Sequence, residues 1–465
     1  MQEPTAVADV PPSVDAPDGL PIPRRYWSLV AILLAMTMAV LDGSIVNVAL
    51  PTMARDLHTT AGASIWIINA YQLAVTVTLL PISTLGDKLG YRRVYLAGLV
   101  VFTLGSLGCA LSHTLTELTA ARVVQGVGAG SILSITTALV RFTYPRRLLG
   151  YAIGLNAMVL SVAAAAGPSV AAIILGRASW EWLFAVNVPL GVVTVAFGAW
   201  ALPRTIGTGR KFDWLSAALN ALALGFLVIG AEAMARVGLG AGAPMLAVGV
   251  VAGIVLVYRE LRIAAPLVPV DLLRLPVFSL SIVTAIISFI AQMLVLVGLP
   301  FYLQDVLGRS AVETGFLMTP MPLALAVGAP LGGRFADRYP AGILGACGLA
   351  VFAVGVGALA LLPAYPSDFA IVWPLVLCGL GFGFFQAPNN REMISAAPMH
   401  RSGAAGGMLG IARLLGQTSG AIGMVLFFRL AGVHATKASL VTATGLALLS
   451  GVLSISRLGI PRRPA

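Results

Sequence analysis

The chain has 465 residues, of which 58% are hydrophobic and only 10% charged, with a mean hydropathy of +0.94. A soluble domain carries roughly 25% charged residues because its outside must face water, so an ordinary cytosolic enzyme, a disordered protein and a disulfide-rich secreted module are excluded. The net charge of +11 would suit nucleic acid, but the placement of the basic residues points elsewhere.

The charges cluster between long neutral stretches such as 57–86, 148–176, 275–304 and 339–367. Each can hold the ~20 apolar residues of a membrane-spanning helix, and none alternates with the two-residue period of a barrel strand. Residues 1–23 are Pro-rich and acidic and predict a disordered tail, not a cleaved signal peptide. Fourteen spans follow, near 27–50, 64–85, 94–112, 116–139, 150–175, 183–202, 214–235, 244–258, 278–302, 314–333, 342–362, 369–390, 404–428 and 438–456. They divide into a first six-helix bundle (24–205), an extra helix pair with its linker (206–276), a second six-helix bundle (277–457) and a short tail (458–465). Cys109, Cys347 and Cys378 fall within apolar stretches and are expected to be buried thiols without a disulfide framework.

With the N-terminus inside, 21 of the 29 Lys and Arg residues fall in cytoplasmic segments and 6 in outer loops, while Arg122 and Arg413 lie within spans. This positive-inside bias explains the basic charge without a nucleic-acid partner and puts both termini in the cytoplasm. The loops are too short for a soluble catalytic domain.

The loop after span two reads Leu85-Gly-Asp-Lys-Leu-Gly-Tyr-Arg-Arg93. Gly90 permits a tight reversal, and Asp87 facing Arg92 and Arg93 could form an ionic latch, although a solvated turn obeying the positive-inside bias is an equal reading of the loop alone. The pattern returns after span ten, where Asp337 and Arg338 parallel Asp87 and Lys88, so the two bundles read as a parallel internal repeat. In span four, Arg122 is a costly intramembrane charge, and Gly126 and Gly130 make a small-residue packing face. Span five carries the bend Gly167-Pro168, and Ala324, Gly328 and Gly332 give span ten a face like that of span four.

The stretches 41–51 (LDGSIVNVALP), 85–93, Arg122–Gly130 and Gly167-Pro168 together resemble four hallmark motifs of the major facilitator superfamily. The stretch 180–191 (WEWLFAVNVPLG), Pro388-Asn-Asn390 and 412–417 (ARLLGQ) resemble its fourteen-span drug:proton antiporter branch, and the likeness runs from about 24 to 457. Ser83 stands where the loop motif usually begins with Gly, Ala171 and Ala172 replace the Gly pair after Gly167-Pro168, and Glu181 takes a position often basic. The resemblance implies an all-α polytopic membrane protein of two six-helix bundles plus an extra pair, alternating access around a cavity between the halves, and control of opening by the 85–93 loop.

Proton coupling needs a titratable group within the membrane. His58, His113, His400 and His434 lie outside the span centres, and Glu117, Glu232 and Asp305 near outer span ends are expected to be solvated at the interface. Asp42 is about 12 Å below the outer end of span one and Arg122 about 9 Å below that of span four. Opposite charges at one depth are expected to pair or to bridge through Gln125, with Asp42 carrying the exchangeable proton; a permanent structural ion pair is the competing reading. Candidate cavity groups are Asn69, Gln72, Gln292, Gln386, Asn389, Asn390, Arg413 and Gln417, with Trp66, Tyr71, Phe384 and Phe385 as aromatic candidates.

The expected function is secondary transport, exporting small amphipathic compounds (drugs, biocides or metabolites) in exchange for protons. Export of one specific endogenous metabolite or anion is the alternative, since Arg413 would favour an anion and Asp42 a cation. An embedded enzyme would need a cluster of His, acid or Cys residues, and a channel a repeated polar ring; neither pattern is present. The expectation is a monomer in the bacterial inner membrane, with a small molecule, protons and lipid as partners, no nucleic acid, no cofactor and no metal.

Overall fold

The structure, a computed structural model, describes residues 19–207, 212–263, 266–398 and 401–460. Most of the expected N-terminal tail, residues 461–465, His400 and the basic residues Arg210, Lys211, Arg462 and Arg463 lie outside the described residues.

Apolar helices account for the architecture: α1 (Arg24–Asp56), α2 (Trp66–Leu89, after a short turn Ala61–Ser64), α3 (Tyr91–Ala110), α4 (Leu115–Thr143), α5 (Leu149–Leu175), α6 (Asn187–Ala201, after Trp182–Ala185) and α7 (Trp214–Arg236). There follow α8 (Leu239–Glu260), α9 (Pro276–Phe301), α10 (Ala311–Met318 and Pro320–Phe335), α11 (Ala341–Ala360), α12 (Asp368–Ala396), α13 (Ser402–Ala431) and α14 (Ala435–Ser456). Their starts follow from local chemistry. Capping boxes built by Thr114 with Glu117 and by Ser310 with Glu313 open α4 and α10, and the Ser367 hydroxyl caps α12. Gly90, at φ 92°, joins α2 directly to α3; a Cβ there would lie 2.4 Å from the Thr205 carbonyl oxygen.

By length and composition alone the described residues hold thirteen spanning stretches, the last running over 56 residues, Ala404–Gly459. Straight, that stretch would be about 84 Å long, against a hydrocarbon core of ~30 Å. It turns back at Gly432, whose φ is 52°. Beyond the turn the packing direction reverses. Along α13, Gly416 meets Ile286 and Gly420 meets Ile290, so α13 runs parallel to α9. Along α14, Thr436 donates to the Gly298 carbonyl (3.1 Å) and Ser450 to that of Thr284 (2.8 Å), so α14 runs antiparallel to it. The stretch is two helices, so the described residues hold fourteen long helices of spanning length. α1 therefore starts and α14 ends on the same side, the terminal face; the opposite side is the distal face.

The internal repeat is visible in how glycines admit neighbouring backbone. Gly126 and Gly130 on α4 pack against Tyr71 and Thr78 on α2, and in the second bundle Gly328 and Gly332 on α10 pack against the carbonyls of Leu380 and Phe384 on α12. The pair α7–α8 lies against α2 and α13, held by Asn220 donating to the Val77 carbonyl (3.1 Å) and Arg429 to that of Met234 (3.2 Å).

Two sequence expectations are corrected. Cys347 is exposed on the outside of α11, whereas Cys109 and Cys378 are buried. Glu232 is not solvated: packing around α7 leaves it 1% exposed, with Oε1 lacking a hydrogen-bond partner.

The two bundles are tied together toward the distal face. The last turn of α9 widens into a π-turn, Tyr302–Val306, and carries Gln304 and Asp305 to α1. Gln304 donates to the Val48 carbonyl (2.9 Å), and Arg55 pairs with Asp305 (3.1 Å). On the other flank Ser169 on α5 hydrogen-bonds Thr319 on α10 (2.8 Å), and the Gly315 backbone packs on the Pro168 carbonyl and Ala172.

Candidate functional site

Between the bundles, at mid-depth, lies a cavity of about 250 Å³ that is partly open to the outside. Each bundle supplies part of its wall: Asn47, Tyr71, Gln72 and Pro168 from the first, and Gln292, Arg413 and Gln417 from the second. The remaining wall is mostly aliphatic, with Met293, Met318 and Met321 on one side. Such a surface suits a small amphipathic molecule, because flexible thioethers adapt to varied shapes while a few amides orient the polar end.

Behind the wall of the first bundle lies a compact polar cluster. Arg122 donates through Nη1 to Asp42 Oδ2 and to Gln125 Oε1 (2.6 Å), and through Nε to the Ile67 carbonyl (3.0 Å). Gln125 donates in turn to Asp42 Oδ1 (2.8 Å) and to the Ser106 hydroxyl (2.8 Å). Asn187, at the start of α6, gives Asp42 Oδ1 another hydrogen bond (3.1 Å). The side chains of Asp42 and Arg122 are each 1% exposed. The Tyr71 ring covers the guanidinium at 4.0 Å, with Phe184 at 5.5 Å. The charges thus meet with both carboxylate oxygens and the Arg122 Nε and Nη1 groups hydrogen-bonded, which favours offsetting the desolvation of a buried pair. Arg122 also reaches the cavity wall, whereas Asp42 stays behind it.

Asp42, Arg122 and Gln125 are therefore brought together, and Gln72, Gln292, Arg413 and Gln417 reach the cavity. The other polar candidates go elsewhere. Asn69 is fully buried away from the wall, and neither its oxygen nor its nitrogen has a hydrogen-bond partner. Gln386 and Asn390 are on the terminal third of α12, off the cavity wall. Asn389 belongs to a separate network near the terminal face: Arg457, whose side chain is 1% exposed, donates to Asn389 Oδ1 (2.7 Å) and Ser281 Oγ (2.9 Å) and pairs with Glu392 (3.3 Å). This network ties α9, α12 and α14 together. Arg457→Met, which removes the buried guanidinium and its hydrogen bonds to Asn389, Ser281 and Ser454, is expected to cost about 3 kcal/mol. A lower thermal midpoint of the purified protein in detergent checks this, and an unchanged midpoint refutes it.

Asn187, Ser106 and Arg457 escaped the sequence reading. Asn187 lies in a stretch noted only for family likeness, yet an amide at the start of an apolar span is itself a signal. Arg457 reads from sequence as one more basic residue beyond the last span.

The loop residues are also redistributed. Asp87 accepts from the Tyr91 hydroxyl, while Arg92 turns to α6 and donates to the Ala199 carbonyl, its own amide donating to Thr205 (3.1 Å). Arg93 is exposed. In the second bundle Asp337 pairs with Arg391 at the end of α12, and Arg338 is exposed. Asp87→Asn keeps an acceptor for Tyr91 but removes the charge, and transport in vesicles is expected to slow at least about tenfold at equal protein level. Near-normal rates would remove the loop carboxylate from any control of opening.

At the Gly167–Pro168 segment, the Gly167 backbone presses on α1, where a Cβ would lie 1.5 Å from Ser44 Oγ. Pro168 reaches the cavity wall and also supplies the carbonyl on which Gly315 of α10 rests. Ala171 and Ala172 are fully buried, so small residues other than Gly suffice there.

An all-helical membrane fold of two repeated bundles around a central, mostly apolar cavity carrying a few polar groups is the architecture of a solute transporter. The chain belongs to the Major Facilitator Superfamily, whose sequence profile matches residues 32–421. It is 52% identical to the uncharacterized transporter YebQ of Escherichia coli, over 98% of this chain and 100% of that one. It is 30% identical to the tetracenomycin C resistance and export protein of Streptomyces glaucescens (94% and 81%) and 29% to the riboflavin transporter RibZ of Clostridioides difficile (87% and 88%). The fold is similar to a bacterial homolog of the human lysosomal transporter Spinster, crystallised inward-facing and unoccupied (TM-score 0.68, 15% identity, 94% and 98% coverage). The chain is a transporter and not an enzyme.

Proposed function

We propose that this protein exports small amphipathic compounds in exchange for protons, by alternating exposure of the central cavity to the two sides of a bacterial inner membrane. The observation that carries the proposal is the buried Asp42–Arg122–Gln125 cluster directly behind the cavity wall. The terminal face is the cytoplasmic one, since the basic residues concentrate there. The ties around Arg55, Gln304 and Ser169 close the distal face, so this state loads substrate from the cytoplasm.

The cycle follows from the competition for Asp42. With the distal side open, the carboxylate takes a proton from outside and lets go of Arg122. On closure, Arg122, Gln125 and Asn187 return as donors, and the proton leaves toward the cytoplasm as substrate enters. A charge that must be paired at every stage makes the empty, unprotonated transition costly, which is what couples the two fluxes. The substrate path is enclosed by a single chain, so one chain suffices as the working unit. Two relatives support export: the tetracenomycin C protein and, at 29% identity, the multidrug resistance protein Stp of Mycobacterium tuberculosis. The test is accumulation of candidate amphiphiles by inside-out vesicles containing the protein: uptake that depends on an imposed pH gradient supports the reading, and gradient-independent uptake refutes it.

A further inference from the structure

The charge balance of the cavity goes further than its shape. Two charged side chains reach the wall, Arg122 and Arg413, and no carboxylate does among the described residues. Arg122 is neutralised from behind by Asp42. Arg413 is not: its Nε has no hydrogen-bond partner, and among the described residues it enters no ion pair. It projects from α13 into the cavity one turn from Gln417, with Gln72 and Gln292 also on the wall. A positive charge facing a largely apolar cavity, with its buried Nε unpartnered, is an expensive arrangement, and a bound anion relieves it. The planar fork matches the two oxygens of a carboxylate, phosphate or sulfonate. Asp42, which from sequence could have attracted a cation, already accepts from Arg122, Gln125 and Asn187 and is shielded from the cavity.

We propose that the cavity selects amphipathic organic anions, the acidic group docking on Arg413 and the apolar body lying against Met293, Met318, Met321 and Leu325. The proposal rests on the transporter reading of the cavity and adds the sign of the substrate's charge. A cation entering the same space would meet an uncompensated positive charge in a wall of low polarity, a repulsion that disfavours binding.

The test uses full-length protein in nanodiscs, without any gradient, and three probes that share one ring system: indole-3-acetate, indole-3-acetamide and tryptamine. Binding is followed calorimetrically. The expected result is that the acetate binds at least about tenfold more tightly than the amide or the amine, as for a charge-assisted contact. Arg413→Gln is expected to bring acetate and amide within about twofold of each other while leaving amide binding in place. Arg413→Lys, which keeps the charge, should retain a preference for the acetate and guards against a variant that merely misfolds. Equal binding of acetate and amide by the unsubstituted protein, tighter binding of tryptamine, or an acetate preference that survives Arg413→Gln would each overturn the proposal, as would no saturable binding of any probe. Because no proton gradient is present, failure of proton coupling leaves this outcome untouched, and the two readings fail separately.

Discussion

Asp42→Asn is expected to abolish uphill, gradient-driven export while leaving the protein inserted and able to exchange substrate downhill. The carboxylate accepts from Arg122, Gln125 and Asn187 through two oxygens. An asparagine offers a single acceptor oxygen and turns a donor toward one of these groups. The buried guanidinium then loses its counter-charge, an imbalance of about 3–5 kcal/mol, so a fall in thermal midpoint is expected as well. That fall alone would not separate a proton carrier from a fixed ion pair. The double variant Asp42→Asn with Arg122→Gln does, because it removes both charges together. If the pair only braces the first bundle, the double variant recovers uphill export. If Asp42 carries the proton, stability returns and uphill export does not. Full gradient-driven accumulation by Asp42→Asn in vesicles would place the proton on another group.

The second large effect is expected at Gly167. Even one carbon added there would lie 1.5 Å from Ser44 Oγ and 2.8 Å from Ser44 Cβ on α1. On the next residue, the Pro168 carbonyl carries the α10 backbone, at 2.6 Å from where a Gly315 Cβ would lie. The Gly167–Pro168 segment of α5 is thus wedged between an element of its own bundle and one of the other. A leucine must push α5 off α1 by the thickness of a side chain, and the shift is passed to the contact that closes the distal face. Gly167→Leu is expected to cut transport more than about tenfold or to open a proton leak, with the protein still in the membrane, since the packing of small residues holds such helices together. Measurement of substrate uptake and passive proton entry in the same vesicles checks both. Unchanged uptake together with unchanged leak would show that the α1–α5 contact yields without consequence.

The span pattern was legible because a membrane leaves few alternatives: neutral stretches of ~20 residues can be little else than helices. Hydropathy alone would run α13 and α14 together as one apolar stretch, but Arg429 and Lys437 on either side of Gly432 mark the turn that separates them. The meeting of Asp42 with Arg122 followed from depth, a one-dimensional quantity that sequence does contain. Azimuth around a helix is weaker in the sequence. Asn389 and Gln386 looked equivalent to Gln417, yet α12 presents Asn389 to Arg457 and away from the cavity. Arg92 and Asp87, five residues apart across a tight turn, suggested a latch; the turn at Gly90 instead sends Arg92 to α6. Glu232 was misjudged for a related reason. Its distance from the span end was right, but the packing around α7 that removes it from water could not be read from one helix.

The central claim is that outward movement of substrate is exchanged for inward movement of protons through this cavity. The most direct measurement is the pH inside sealed proteoliposomes, reported by an entrapped dye, when a transported amphiphile is added with no imposed gradient. Substrate entering through the protein should drive protons out, so the interior should become more alkaline; Asp42→Asn should abolish this change while substrate still equilibrates. Substrate movement at full rate with no change in internal pH in the unsubstituted protein would contradict the account.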